Sequence, residues 1–224
     1  MEKTQRLIKK ILTSSQDVKI GKLAYELLSA VRSERNVESL EPLLLHKNNV
    51  VVESAVWIAS ELGGASGPVV NLLANLLNHE VDNVRYFAVE AVTASSSILS
   101  SGQLAMLVEL IGDESAAVRW KVMNALVILT KEQIGTAGNE LLVRPGHEAM
   151  GKALVWLGSR NSEILSEIFA TIECDSSSTR RCGVVALARL QDVIKRKLID
   201  ISRQDQADIK DFAIEYVATS EIAK

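Results

Sequence analysis

The chain of 224 residues is 47% hydrophobic but only 4% aromatic, with three prolines. That is enough length to bury an Ala/Leu/Val/Ile interior, and too few β-formers and turn residues for an all-β domain. The formal charge of −3 is too small to mark a polybasic or polyacidic protein.

In chain order, the N-terminal stretch is charged and lacks the apolar core and cleavage site of a secretory signal. No later apolar run approaches the roughly 20 residues that span a bilayer. Residues 2–12 read as an amphipathic helix, with Leu7, Ile8, Ile11 and Leu12 beside Lys3, Arg6, Lys9 and Lys10. Such a helix suits membrane-surface binding or, the preferred reading, a capping hairpin with a polar outer face. Its partner helix is expected near 17–32, and a second pair near 38–46 and 50–62.

The clearest pair follows. Val69, Leu72, Leu73, Leu76 and Leu77 form one stripe over 68–78, with Pro68 in the first turn, where its missing N–H costs nothing. Asp82 or Asn83 can cap a helix over 83–94 that carries Val84, Ala88, Ala91 and Val92. The pattern recurs over 102–111 and 116–130, with Gly112 as a stop and Asp113 in the capping cluster. The pair at 132–143 and 147–158 is the weakest: Ile134-Gly-Thr-Ala-Gly-Asn is glycine-rich and Arg144-Pro-Gly breaks the hairpin, so a bend or a protruding loop is expected there. Further pairs fall near 162–173 with 178–190, and 192–202 with 206–218.

Aligning the second helices gives a column at Gly21, Glu53, Arg85, Arg119, Glu148, Arg180 and Lys210, with spacings of 32, 32, 34, 29, 32 and 30. Three positions on, Ala24, Val56, Ala88, Val122, Gly151, Gly183 and Ala213 are small or β-branched, as close helix packing requires. A period near 32 with two amphipathic helices per unit predicts a solenoid of about seven hairpins, each buried against the pair before and the pair after.

Gly112-Asp-Glu-Ser-Ala-Ala-Val-Arg119-x-x-Val-x-x-Ala-Leu126 resembles the second helix of HEAT-like repeats, and Asp82-Asn-Val-Arg85-x-x-Ala-x-x-Ala-Val92 looks like a second copy. Looser copies begin at Asp175 and Asp205. The resemblance implies an all-α, right-handed superhelix over residues 1–224, treated as a single domain. It also implies a structural ladder of Asp and basic residues across neighbouring repeats: Asp82, Arg85, Asp113, Arg119, Arg180 and Lys210. Gly21, Glu53 and Glu148 would interrupt it, leaving those units to apolar contact. HEAT-like arrays are mostly protein-binding scaffolds, which becomes the expected function.

Enzyme signatures are weak. No nucleophile elbow, phosphate-binding glycine loop or zinc-type cysteine pairing is present, and neither a cofactor nor a metal is expected. Cys174 and Cys182 cannot make a disulfide framework, so the chain reads as intracellular, reduced and cytoplasmic. The His79-Glu80 and His147-Glu148 pairs sit at non-equivalent positions, against a di-iron site of the HEAT-like hydroxylase kind. HEAT-like DNA glycosylases resemble the chain in length and in having tryptophans, here Trp57, Trp120 and Trp156. They need a cationic face for phosphates. Residues 36–118 carry two basic against ten acidic residues, a net of −8, while residues 1–35 carry eight against four, a net of +4. That distribution makes nucleic acid an unfavourable partner and a basic protein a favourable one, although a merely solvated acidic face is the plain alternative.

Second helices usually line the concave surface of such arrays. Positions one, five and eight after the column are expected to point outward, placing Glu61, Tyr86, Glu90, Trp120, Asn124 and Trp156 on a protein-binding face. An immunity-type inhibitor of a cationic enzyme is one concrete form of that function. Packing of the rings between hairpins is the competing reading. The oligomeric state is not legible in the sequence.

Overall fold

Helical periodicity organises the whole chain. A computed structural model describes residues 2–14, 16–190 and 207–222, with side chains as far as residue 215. All elements among the described residues are α or 3-10 helix. The helix expected near 192–202 and the Tyr216 side chain lie outside them. Two compact units divide the chain, Met1–Leu99 and Ser100–Lys224.

In the first unit, α1 (Glu2–Leu12) buries Thr4, Leu7, Ile8 and Ile11 and leaves Lys3, Arg6, Lys9 and Lys10 exposed. The three-and-four spacing of its apolar residues selects that single face. α2 (Asp17–Glu34) ends at Arg35, held in the left-handed region at φ 51°. A 3-10 turn at Val37–Leu40 leads into α3 (Glu41–Leu44), with Pro42 in its first turn. α4 (Asn49–Leu62) is opened by Asn48, whose Oδ1 accepts from the Val50 N–H at 2.9 Å. It closes at Gly63, whose φ of 56° a β-carbon would strain.

The stripe at 68–78 is not one helix. It divides into a 3-10 stretch Gly63–Val69, α5 (Val70–Asn75) and a 3-10 turn Leu76–Asn78. A short first helix whose ends tighten to i→i+3 bonding satisfies carbonyls that an α-helix would leave open. α6 (Asp82–Ala94) completes the unit. The small-residue column does the work its spacing implies: Ala24, Val56 and Ala88, with Leu27, Ala59 and Ala91 one turn on, are all at most 2% exposed. They sit where α2, α4 and α6 pack in succession.

The second unit comprises α7 (Ser101–Glu109), α8 (Ala116–Ile128), α9 (Lys131–Leu142), α10 (Glu148–Leu157), α11 (Leu165–Ile172), α12 (Ser177–Arg189) and α13 (Ala207–Ile222). Capping boxes open two of these: Ser100 with Gln103 for α7, and Thr130 with Gln133 for α9. The glycine-rich stretch lies inside α9, where the glycines are packing residues. A β-carbon on Gly138 would stand 2.8 Å from the Val155 backbone N, and one on Gly151 would stand 2.7 Å from the Leu142 backbone N. α9 and α10 approach backbone to backbone, and only residues 143–147 are left for the connection. No bend or protruding loop is needed to explain the glycines.

Chain-order packing holds less strictly here. α10 packs on α9 and α12, while the extensive neighbours of α8 are α12 and α13; with α10, the next second helix along the chain, α8 makes no comparable packing. Arg189 at the end of α12 ties this arrangement, its Nη1 donating to the Leu126 and Leu129 carbonyls at 2.5 and 2.8 Å. A cation at the C-terminus of α8 meets the negative end of that helix.

Candidate protein-docking face

The basic column closes its own turns. Arg85 Nη1 donates to the carbonyls of His79 (2.8 Å) and Glu80 (3.1 Å), and Arg119 Nη1 donates to those of Asp113 (2.7 Å) and Glu114 (2.9 Å). Arg180 reaches the Cys174 carbonyl through Nε at 3.3 Å and Nη2 at 3.2 Å. In each case one acceptor lies six residues earlier, joined for Arg85 and Arg119 by a second five residues earlier, so one guanidinium fastens the loop between the two helices of a hairpin. Arg85 is 6% exposed, and its fixed fork of donors suits two carbonyls at once.

The acids of the predicted ladder also act locally. Asp82 accepts from the Asn83 N–H at 2.9 Å, and Asp113 from the Ser115 N–H at 2.8 Å. Lys210 is exposed. Two links between hairpins use residues that the alignment had set aside. Asn49 Nδ2 donates to Glu80 Oε1 at 2.9 Å, and Asn83 Nδ2 to Glu53 Oε1 at 3.1 Å. Glu53, expected to leave its unit to apolar contact alone, is one half of such a link. In the second unit the carboxylate on Arg119 is Asp208, 89 residues away, at 3.0 Å.

These links order the second-helix face of the first unit. Residues 49 and 53 meet 80 and 83 in ascending order, so α4 and α6 run in the same direction. One turn beyond the Glu53–Asn83 bond, Trp57 on α4 and Tyr86 on α6 stand level. On the other side of Trp57, the Tyr25 ring of α2 lies 4.7 Å away between centroids, tilted by 59°. Tyr25 is 67% exposed, Trp57 and Tyr86 are half-buried, and Tyr86 stacks edge-on with Phe87 at 5.4 Å. Three successive second helices therefore each carry one ring at this level, with Tyr25 and Trp57 in contact. Acids flank the rings: Glu26 and Glu61 are exposed, and Glu53 and Glu90 half-buried. Arg32 Nη2 donates to the Glu61 carbonyl at 2.9 Å, capping the end of α4 and leaving the Glu61 carboxylate at the surface.

Tyr25 is the residue that sequence reasoning missed. It stands four places after Gly21, in register with Trp57 four places after Glu53. The outward positions taken from the column were one, five and eight, which passed over position four; the shared offset of the two rings was the available signal.

The remaining expected site residues belong to the second unit. Trp120 is half-buried on α8, with Lys121 Nζ 5.6 Å above its ring. The Asn124 amide turns back to the Trp120 carbonyl at 3.2 Å. Trp156 is half-buried, and its indole N–H is enclosed without an acceptor, so its polar edge faces protein rather than solvent.

The two His-Glu pairs singled out in the sequence make local contacts. His79 Nδ1 accepts from the Val81 N–H at 3.1 Å, while Glu80 holds Asn49. His147 Nε2 pairs with Glu109 at 2.8 Å, and Arg144 Nη1 pairs with the same carboxylate at 2.9 Å. Burial raises the Cys182 thiol to about 12, against a smaller lowering by the Arg181 charge. Burial alone would raise the Asp208 carboxyl, but hydrogen bonds from Arg119 and Arg181, with their charges, hold it below the usual carboxylate range. No group of three or more His, Cys, Asp or Glu able to hold a metal occurs among the described residues. Among them, too, no helix is long and apolar enough to cross a membrane.

No protein-family model matches the chain, nor does any curated protein. Solved structures do. A designed armadillo repeat protein superposes with a TM-score of 0.54 at 15% identity, covering 97% of this chain and 99% of its own. An engineered protein gives 0.51 at 18%, covering 99% and 98%. A HEAT-like repeats protein from the archaeon Thermococcus onnurineus NA1 gives 0.50 at 18%, covering 98% and 97%. Such a repeat fold commonly serves as a protein-binding scaffold. At these identities the likeness concerns the backbone alone, and on it the chain has the all-α fold of the armadillo and HEAT-like helical repeats.

Proposed function

We propose that the chain is a non-catalytic binding module, and that the second-helix face of its first unit docks a protein with a basic surface. The observation that carries this reading is the row Tyr25, Trp57 and Tyr86 on three successive helices, flanked by Glu26, Glu61 and Glu90. Aromatic side chains supply large contact area at low entropic cost, which is why they dominate binding hot spots. Acids around the row would steer and select a cationic partner, and would attract Arg or Lys to the ring faces. The excess of acids over residues 36–118 supports the same sign of partner. Trp156 is left out because its polar edge is enclosed, and Trp120 and Asn124 are not required.

The test is capture of a protein from lysate of the source cell at two salt concentrations. The wild-type chain should retain a basic partner whose recovery falls as salt rises. Tyr25→Ala with Trp57→Ala should lower that recovery at least ~10-fold, since two hot-spot residues are each worth about 1–2 kcal/mol. If the double variant keeps its helical circular dichroism and still captures the partner undiminished, the assigned face is wrong.

A further inference from the structure

In a tandem array each second helix packs on the second helix of the next repeat. α8 does otherwise, since α12 and α13 cover it. α13 turns Ile209, Phe212 and Ala213 inward, all 0% exposed, at the three-and-four spacing of one helix face. Its outer side, with Ala207, Lys210, Asp211 and Ile214, is exposed.

One residue ahead of that apolar stripe, Asp208 is 2% exposed and enters a socket formed by two other helices. Arg119 Nε of α8 lies 3.0 Å from Oδ2, and Arg181 Nε of α12 lies 2.5 Å from the same oxygen. Each arginine also has an anchor other than Asp208. Arg119 is anchored to the Asp113 and Glu114 carbonyls, and Arg181 Nη1 donates to the Ile111 carbonyl at 3.3 Å. The body of the unit thus builds a cationic socket beside an apolar floor, and α13 supplies only the anion and the apolar stripe. A preformed site of this kind binds without the cost of ordering its own side chains.

We propose that the α8–α12 face is a helix-docking site whose resident ligand is α13, and that a partner's amphipathic helix can take its place. That helix carries an acid, with apolar residues one, four and five positions after it. The site is distinct from the aromatic row of the first unit and selects the opposite charge, so either assignment can fail without the other.

The probe is a fluorescein-labelled peptide with the sequence of residues 207–222, titrated into the full-length chain. Wild-type chain should bind it weakly, because its own helix competes. Asp208→Asn chain should bind it at least ~10-fold more tightly, because the fraction of open sites rises. Adding Arg181→Met to Asp208→Asn should abolish that gain, as should replacing Asp by Asn in the peptide. Uptake by Asp208→Asn no better than by wild type, or uptake indifferent to Arg181, overturns the proposal. Should Asp208→Asn fail to fold, amide exchange on the wild-type chain decides. The α13 amides should exchange through an opening that leaves α8 and α12 protected, and exchange of all three helices together overturns the proposal.

Discussion

Gly135 and Gly138 lie one turn apart on α9, and replacing each with alanine should move stability in opposite directions. A β-carbon on Gly135 meets nothing within 4 Å, so Gly135→Ala gains the helix propensity of alanine, about 0.5–1 kcal/mol. A β-carbon on Gly138 would lie 2.8 Å from the Val155 backbone N, 3.1 Å from the Gly151 carbonyl oxygen and 3.0 Å from Val155 Cγ2. Only the last can rotate away; the first two yield only if α9 and α10 separate. Forced separation of a packed interface costs about 1–3 kcal/mol, against the same propensity gain of at most about 1 kcal/mol. Gly138→Ala is therefore expected to lose roughly 1–2 kcal/mol, and the two variants should differ by about 2 kcal/mol. Urea unfolding followed by circular dichroism reads this directly as midpoints on either side of wild type. If both variants shift the midpoint the same way, the close approach of α9 and α10 is wrong.

Arg85→Met should destabilise the first unit by about 1.5–3 kcal/mol in the same assay, because the His79 and Glu80 carbonyls lose a charged donor. A neutral change at this position would refute its role as a turn clamp. Asp208 has a folded pKa held below its unfolded value. Its contribution is therefore complete above about pH 4 and is lost as pH falls through the folded value. Protection of the α13 amides, corrected for intrinsic exchange, should fall in that acid range for wild type and stay flat for Asp208→Asn; parallel profiles would contradict the ion pairing. Cys182 is fully buried with its thiol raised to about 12, so iodoacetamide at pH 8 should modify it only after denaturant is added. Labelling of Cys182 in the native chain as fast as Cys174 would be inconsistent with its place on α12.

The second helices were legible because their apolar stripes are long and regular. The segments expected at 50–62, 83–94 and 178–190 are observed as Asn49–Leu62, Asp82–Ala94 and Ser177–Arg189. First helices were less so, since a stripe such as Val69–Leu77 has the same periodicity whether its ends are α or 3-10. The glycines of α9 misled because glycine reads as a breaker in sequence, and only the partner helix shows that Gly138 and Gly151 are a contact. The role of the basic column was hidden for a related reason. Arg85 and Arg119 bond to backbone carbonyls, which carry no side-chain signature, whereas the Asn49–Glu80 and Asn83–Glu53 links use residues outside the family pattern. Tyr25 escaped notice because an exposed ring and a buried one look alike in sequence. The packing of α8 on α13 joins residues 89 apart through Arg119 and Asp208, a separation at which periodicity carries no information.

The proposed docking face is tested most directly by photocrosslinking from defined positions. A photoreactive side chain at Ser54 or Glu61, on the second-helix face of the first unit, is compared with one at Glu41 or Asn75, on its first helices. Irradiation in lysate of the source cell should join one basic protein to the Ser54 and Glu61 variants, with yield falling as salt rises, and should leave the Glu41 and Asn75 variants unmodified. Crosslinks confined to Glu41 and Asn75, or a partner captured equally from all four positions, would contradict the account.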